Sequence, residues 1–352
     1  MRQSRQISIG NVKIGGGAPV SVQSMTITDT RDVASTVSQI KRLEDAGCDI
    51  VRVAVPDMDA ARALGAIRKG IRIPLVSDIH FDYKLALESI KQGVDGMRIN
   101  PGNIGAKYRI KAVVDACRER GIPIRIGVNS GSLQKDILRK HKHPTAEALV
   151  ESALRHVHIL EDLDFYEIKI SVKSTDVRKM IAAYRMLAEK TEYALHLGVT
   201  EAGTPGMGTV KSSIGIGALL AEGIGDTIRV SLTGDPVEEI VVGMNILRSL
   251  GMRNNGIELI SCPGCGRLEI DLEKLVSEVE QAVSGFDLPR PVKVALLGCV
   301  VNGPGEASEA DIGIAGGKGK GMLYRDGKLI KSFKEADLVG ELVKEIERNY
   351  VN

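Results

Sequence analysis

The chain has 352 residues with 47 basic and 45 acidic side chains, a formal charge of +2, so it lacks the basic surplus that nucleic acid or an anionic membrane surface selects. Seven Tyr, four Phe and no Trp leave little material for a base-stacking platform. Apolar content of 43% with 26% charged residues excludes a disordered or fibrous chain, and the length suits two domains or one large barrel with an appendage.

The opening MRQSRQISIG lacks the apolar stretch of a signal peptide. No run approaches the roughly 20 apolar residues that span a bilayer. A cytoplasmic protein with no membrane and no nucleic-acid partner is expected. The cysteines, at 48, 117, 262, 265 and 299, are too few and too uneven for a disulfide framework.

From residue 19 to 250 short β-branched runs alternate with helical patterns. Strands are predicted at 19–24 (PVSVQS), 49–55 (DIVRVAV), 73–79 (IPLVSDI), 96–100 (GMRIN) and 123–129 (PIRIGVN). Three more follow at 167–173 (EIKISVK), 193–200 (YALHLGVT) and 227–233 (TIRVSLT). Helical stretches lie between them, and PVEEIVVGMNILRSLG closes the series. Strand–helix alternation implies a parallel sheet. Eight units in about 230 residues match a closed (β/α)8 barrel, with a doubly wound open sheet as the alternative.

Strand parity adds chemistry. One parity is apolar throughout, as in Val51, Val53 and Val55 or Ile124, Ile126 and Val128. The other carries Arg52; Asp78 and His80; Arg98 and Asn100; Arg125, Gly127 and Asn129; Lys169, Ser171 and Lys173; His196 and Gly198; Arg229 and Ser231. Period two puts each set on one face, and in a barrel the apolar face packs on the helices while the polar face points inward. Ordinary barrels fill that interior with Val, Ile and Leu. These strands supply six cations, which need either an internal ion-pair layer or a polyanionic substrate. Arginine's planar fork suits phosphate, and the substrate reading is favoured. Glycine-rich TEAGTPGMGTVKSS (200–213) and SLTGDP (231–236) run into helices, where N–H groups attract phosphate. Glu201, just past the seventh strand, is a candidate acid/base or a structural salt-bridge partner.

After Gly251 the pattern becomes a small α+β segment, with strands and helices over 251–352 and Asp326-Gly327 as a hairpin turn. Cys262-Pro-Gly-Cys265 and Cys299 supply three thiols. A structural zinc site wants a fourth Cys or a His, and no other stands in the last 100 residues. A redox dithiol leaves Cys299 unexplained. An iron–sulfur cubane held by three thiolates leaves one iron with an exchangeable ligand. Three buried thiols are the plain alternative. Cys48 and Cys117 read as packing residues.

Together VRVAVP (51–56), SDIHFD (77–82), RINPGN (98–103), RIGVNSGS (125–132), TEAG (200–203), SCPGCGR (261–267) and GCVVNGPGE (298–306) resemble the bacterial 4-hydroxy-3-methylbut-2-enyl diphosphate synthases, in their shorter two-domain form. The resemblance implies a TIM barrel (1–250) that binds substrate and an α+β domain (251–352) that carries a 4Fe-4S cluster. It implies reductive ring opening of 2-C-methyl-D-erythritol 2,4-cyclodiphosphate in the methylerythritol phosphate route to isoprenoids. Cluster ligands would be Cys262, Cys265, Cys299 and Glu306, with Asn302 beside them. The diphosphate would meet Arg52, Arg98, Arg125, Asn129, Lys173, Arg229 and Ser231, and Glu201 would serve as the acid/base or charge-stabilising group. Flavodoxin or ferredoxin would deliver single electrons, since no flavin or nicotinamide fingerprint stands out. A pterin-binding barrel transferase and a zinc-stabilised binding module fused to a barrel are the alternatives.

Connectivity adds an expectation about assembly. The eighth helix returns to the bottom of a barrel, while the active mouth is at the top. The link from Gly251 to Gly256 is about six residues and reaches at most about 20 Å. A barrel is about that deep. The second domain is therefore expected to cap a neighbour's barrel in a C2 homodimer with shared active sites.

Overall fold

The computed structural model describes residues 2–253, 256–283, 286, 288 and 290–351. Asn254 and Asn255, in the link between Gly251 and Gly256, lie outside them. The chain divides into two compact units, Met1–Met252 and Arg253–Asn352.

The first unit opens with a hairpin that the strand-by-strand reading from residue 19 did not include: β1 (Ile7–Ile9) and β2 (Val12–Ile14), antiparallel with Ile7 opposite Ile14. Gly10 turns the chain at φ 55°, a conformation a side chain disfavours. Alternation puts Ile7, Ile9 and Ile14 on one buried face, against Ile50, Val76 and Ala194. Those three stand at the starts of their strands, so the hairpin closes the barrel from below.

The barrel is closed and entirely parallel, as expected, and runs β3 (Ser21–Met25), β4 (Ile50–Ala54), β5 (Leu75–Asp78), β6 (Gly96–Ile99), β7 (Ile124–Asn129), β8 (Ile168–Lys173), β9 (Ala194–Leu197) and β10 (Thr227–Ile228), which pairs back to β3. Apolar parity does what period two requires. Val51, Val53, Ile124, Ile126, Ile168 and Ile170 are all fully buried in the layer between strands and helices. Helices between strands are stopped by ordinary caps: Asp32, Asp57, Thr145 and Asp176 each accept a backbone N–H of the first turn. Cys48 and Cys117 sit in this core, and burial pushes both thiols up to about 12, the inert behaviour of packing residues.

The second unit is a five-stranded sheet in sequence order. β11 (Ile257–Ser261), β12 (Val292–Leu297) and β13 (Ile312–Gly317) are parallel, while β14 (Lys320–Arg325) and β15 (Lys328–Lys334) add antiparallel. Strand parity again decides the layers. Val292, Val294 and Leu296 join the core with helices 272–283 and 338–350, while Ala295 and Leu297 face Ala307 and Ala310 of and beside the short helix 303–309. Asp326 and Gly327 join β14 to β15 with φ of 49° and 74°, the two positive values that a two-residue hairpin loop takes.

Candidate active site

Inward-facing residues of the barrel converge on a polar cavity of about 130 Å³ at the C-terminal half of the strands. Arg52, Arg98, Arg125, Asn129, Lys173, Arg229 and Ser231, the residues expected for a diphosphate, all line it. Asp78, His80 and Thr200 complete much of the rest. Arg52, Arg98, Arg125 and Lys173 are 7%, 5%, 4% and 6% exposed, so these charges face the cavity rather than bulk water.

Asp78 organises one side. Its Oδ1 accepts from Arg98 Nη1 at 2.9 Å, and its Oδ2 stands 3.4 Å from Arg52 Nε. Burial works to raise its pKa, but Arg52, Arg98 and Arg125 together hold the carboxyl well below its usual range. Arg98 also donates from Nη2 to the Gly127 carbonyl at 3.0 Å. Gly127 makes that fit possible, because a Cβ there would stand 2.6 Å from Arg98 Nε. Gly198 plays the same part for Lys173, whose Nζ would lie 2.9 Å from an added Cβ.

A second carboxylate, not anticipated from the strands, comes from the helix Pro236–Ser249. Glu239 is 5% exposed and stands 3.6 Å from Arg229 Nη2. Its oxygens also accept from Ser24 Oγ at 3.0 Å and Leu232 N–H at 3.1 Å. In sequence it looks like any first-turn glutamate that favours a helix N-terminus. The only signal that could have found it is its place directly after the eighth strand.

Six interior cations (Arg52, Arg98, Arg125, Lys169, Lys173 and Arg229) thus face three described carboxylates, Asp78, Glu239 and, toward Lys169, Asp226. Burial, then the neighbouring Arg229, Arg125 and Arg52, drives the Lys173 pKa well below its ordinary value. Arg52 falls to about 10, chiefly from burial. Arg52 Nε and Nη2 point at the Met25 thioether at 3.3 and 3.0 Å, a weak acceptor for a guanidinium. Arg125 Nε has no hydrogen-bond partner among the described residues. An ion-pair layer does not account for this interior, whereas an entering polyanion would supply both acceptors and charge.

The two loops expected to bind phosphate differ. Thr204 caps the helix Pro205–Ala221 without a side-chain hydrogen bond, and its first turn holds no acid. The helix Pro236–Ser249 is instead capped by the Asp235 carboxylate and carries Glu238 and Glu239 in its first turn. That N-terminus is thus more acidic than the first, while Ser231 of its loop lines the cavity. Glu201 is not part of the cavity wall. Its neighbour Thr200 is, and Glu201 is exposed with φ 50°, a costly conformation for a non-glycine residue.

In the second unit the fold sets the thiols at one end of the sheet. Cys262 directly follows β11 and donates its N–H to the Leu296 carbonyl of β12, the strand that leads to Cys299. Cys262 and Cys299 are half-buried and Cys265 is exposed, all three free. N–H groups of Asn302 and Val301 donate to the Cys299 sulfur and lower its pKa from the ordinary thiol value. Asn302 begins the short helix Gly303–Glu309, which places Glu306 in its first turn, exposed. Among the described residues no three His, Cys, Asp or Glu side chains converge on the position of a single metal ion. The donor types nonetheless suit an iron–sulfur group: three cysteines, one whose sulfur accepts two N–H groups, with Glu306 in the helix that follows Cys299.

Comparison with known proteins decides the family. A model for the GcpE TIM-barrel domain matches residues 4–244, and one for the GcpE protein C-terminal domain matches 258–348. The chain belongs to the GcpE family. A relative from Clostridium perfringens is 63% identical over 98% of this chain and 99% of its own, and is named 4-hydroxy-3-methylbut-2-en-1-yl diphosphate synthase (flavodoxin). One from Thermodesulfovibrio yellowstonii, 59% identical over 99% of each chain, bears the same name. Among solved structures, a truncated 3-deoxy-D-arabino-heptulosonate 7-phosphate synthase from Thermotoga maritima covers 71% of this chain and 91% of its own, with TM-score 0.51 and 11% identity. That likeness concerns the barrel fold alone. No described helix is long and apolar enough to cross a membrane.

Proposed function

We propose that this GcpE-family chain is an oxidoreductase that opens 2-C-methyl-D-erythritol 2,4-cyclodiphosphate reductively to 4-hydroxy-3-methylbut-2-enyl diphosphate, in the methylerythritol phosphate route to isoprenoids. The observation that carries this is the cavity in which four buried cations converge with too few carboxylates to balance them. The names of full-length relatives near 60% identity agree with it. They leave the pterin transferase and the zinc-stabilised module without support.

In this reading Arg52, Arg98, Arg125, Lys173 and Arg229 bind the diphosphate by charge-assisted hydrogen bonds, with Asn129 and Ser231 as neutral partners. Asp78 and Glu239 keep the guanidiniums oriented before substrate arrives, so less ordering is needed on binding. Cys262, Cys265, Cys299 and Glu306 would hold a 4Fe-4S cluster, with Asn302 beside it; when bound, it supplies the two electrons one at a time and Lewis acidity toward a substrate oxygen. Glu201, held at the barrel mouth, gives or takes the proton that accompanies C–O cleavage. Residues 1–250 would serve substrate and 251–352 the cluster.

The relatives' names specify flavodoxin, which supports flavodoxin as the donor here; ferredoxin is the second candidate. Assembly as a C2 homodimer with shared sites, in the cytoplasm, completes the proposal. Exposed Met207, Val210, Ile214 and Val241 give the barrel an apolar surface on two adjacent helices. The test is metal analysis of anaerobically purified protein: about four iron and four sulfide per chain are expected, and one zinc would refute the reading. For assembly, Glu201→Gln and Cys265→Ser chains are dissociated and mixed. Recovered activity is expected, and no recovery despite subunit exchange would refute shared sites.

A further inference from the structure

Beneath the substrate cavity lies a second, smaller space, mostly apolar but with three polar side chains in its wall. It is a small chamber of about 10 Å³, walled by Gln23, Arg125, Lys169 and Met97 and floored by Ile7 and Ile9 of the N-terminal hairpin. That volume is about one water molecule's share of probe space. Lys169 is 2% exposed and its Nζ has no hydrogen-bond partner among the described residues; Gln23 is equally buried, with neither amide atom paired to them. Buried side-chain polar groups are ordinarily satisfied, so two such residues facing one enclosed space need an explanation.

Charge makes the case sharper. Lys169 is paired in register with Arg125 on β7 and with Ala194 on β9. The groups that face it are Arg125, Arg52 of β4 and His196 of β9, all cationic or neutral, and Asp226 before β10. Both Asp226 oxygens are already engaged, one by Ser4 Oγ at 2.5 Å and one by the Leu195 N–H at 2.7 Å. Gln23 of β3, Thr227 of β10, Val76 of β5, Met97 of β6 and the hairpin isoleucines contribute no charge. Burial first, then Arg125 and Arg52, drives the Lys169 proton affinity well below that of a free lysine. A fully buried ammonium beside guanidiniums, whose one facing carboxylate is engaged elsewhere, is driven toward the uncharged amine.

Arg125 belongs to both spaces: it lines the upper cavity and the lower chamber. Whatever neutralises Arg125 from above therefore changes the field at Lys169 below. We propose that the lower chamber is a built-in proton site, in which Lys169 is an uncharged amine bridged to Gln23 through one water while the barrel is empty, and takes up a proton when a diphosphate fills the cavity above. No bond other than N–H forms, and the proton comes from solvent. The hairpin floor is what makes this possible, because it keeps bulk water from solvating the ammonium in the empty state. The inference rests on the diphosphate-binding reading of the upper cavity.

The experiment is calorimetric titration of inorganic diphosphate into anaerobic, cluster-loaded enzyme at about pH 7.5, in two buffers of different ionisation enthalpy, for wild type and Lys169→Met. The titration of diphosphate itself is common to both proteins and cancels in the difference. Wild type is expected to take up about one proton more per site than the variant. Equal uptake would overturn the inference while leaving diphosphate binding intact. No diphosphate binding by wild type would overturn both.

Thermal unfolding of ligand-free protein gives an independent reading. Unfolded Lys169 binds a proton below its ordinary value of about 10.4, whereas folded Lys169 resists it, so the wild-type residue destabilises the fold progressively as pH falls from there. Lys169→Met and Lys169→Gln should thus unfold a few degrees above wild type at about pH 7.5, with the gap closing toward about pH 10. A pH-independent gap, or variants that fail to fold, would overturn it, because an uncharged amine tolerates uncharged replacements.

Discussion

Arg229 Nη2 stands 3.6 Å from Oε1 of Glu239, so the last cation of the barrel is held by a carboxylate from outside the strands. Glu239 also ties β3 through Ser24 and the loop after β10 through Leu232. Glu239→Gln removes the charge but keeps one acceptor and nearly the same shape. The expected outcome is a loss of about 1–3 kcal/mol of stability and a several-fold rise in KM, measured by denaturant unfolding and steady-state kinetics.

Arg125 should behave in the opposite way. It is buried, and among the described residues its Nε is unpaired and no carboxylate forms an ion pair with it, Asp78 acting on it only from a distance. Arg125→Met should leave the melting temperature equal to or above wild type, since an uncompensated charge leaves the core. Diphosphate affinity should fall about 100-fold with loss of a bidentate contact. A large drop in melting temperature would show that Arg125 serves the fold instead.

Asp78 links Arg52 and Arg98, and its pKa is held below the ordinary carboxylate value. A carboxylate lowered on folding contributes stability that is fully present above its unfolded value of about 3.9 and is lost as pH falls through its folded value. Asp78→Asn should cost about 3–5 kcal/mol at neutral pH, because it strands two buried guanidiniums. Its penalty should shrink below about pH 4, read from unfolding curves across pH.

Glu201 offers a separation of binding from chemistry. Glu201→Gln should keep the diphosphate affinity, since the residue lies outside the cavity wall, and lower kcat about 100-fold or more. Titration with inorganic diphosphate and turnover measured side by side check this. A KM effect with unchanged kcat would remove Glu201 from proton transfer.

Much of the barrel was legible because a strand's period of two is unforgiving: Arg52, Arg98, Arg125, Lys173 and Arg229 could share the interior only if their apolar neighbours faced the helices. The hairpin at 7–14 escaped because three-residue strands are too short for alternation to stand out, and only its packing on Ile50, Val76 and Ala194 reveals its role. Glu239 escaped because a helical glutamate advertises a cap, whereas its burial depends on how the helix Pro236–Ser249 lies on β3. In the second unit, spacing made Cys262 and Cys265 conspicuous. Bringing Cys262 and Cys299 to one sheet end required knowing that β11 and β12 are parallel neighbours. Glu306 carries no local signal, since a carboxylate in the first turn of a helix is ordinary.

The most direct measurement is anaerobic turnover of 2-C-methyl-D-erythritol 2,4-cyclodiphosphate by cluster-loaded protein with an artificial one-electron reductant, followed by quantifying the product, in wild type and Cys265→Ser. Wild type should release 4-hydroxy-3-methylbut-2-enyl diphosphate, while Cys265→Ser should lose both the roughly 400 nm absorption and the product, with barrel helicity retained. Product formed equally by a cluster-free Cys265→Ser protein, or none from a wild type carrying its full iron and sulfide, would contradict the assignment.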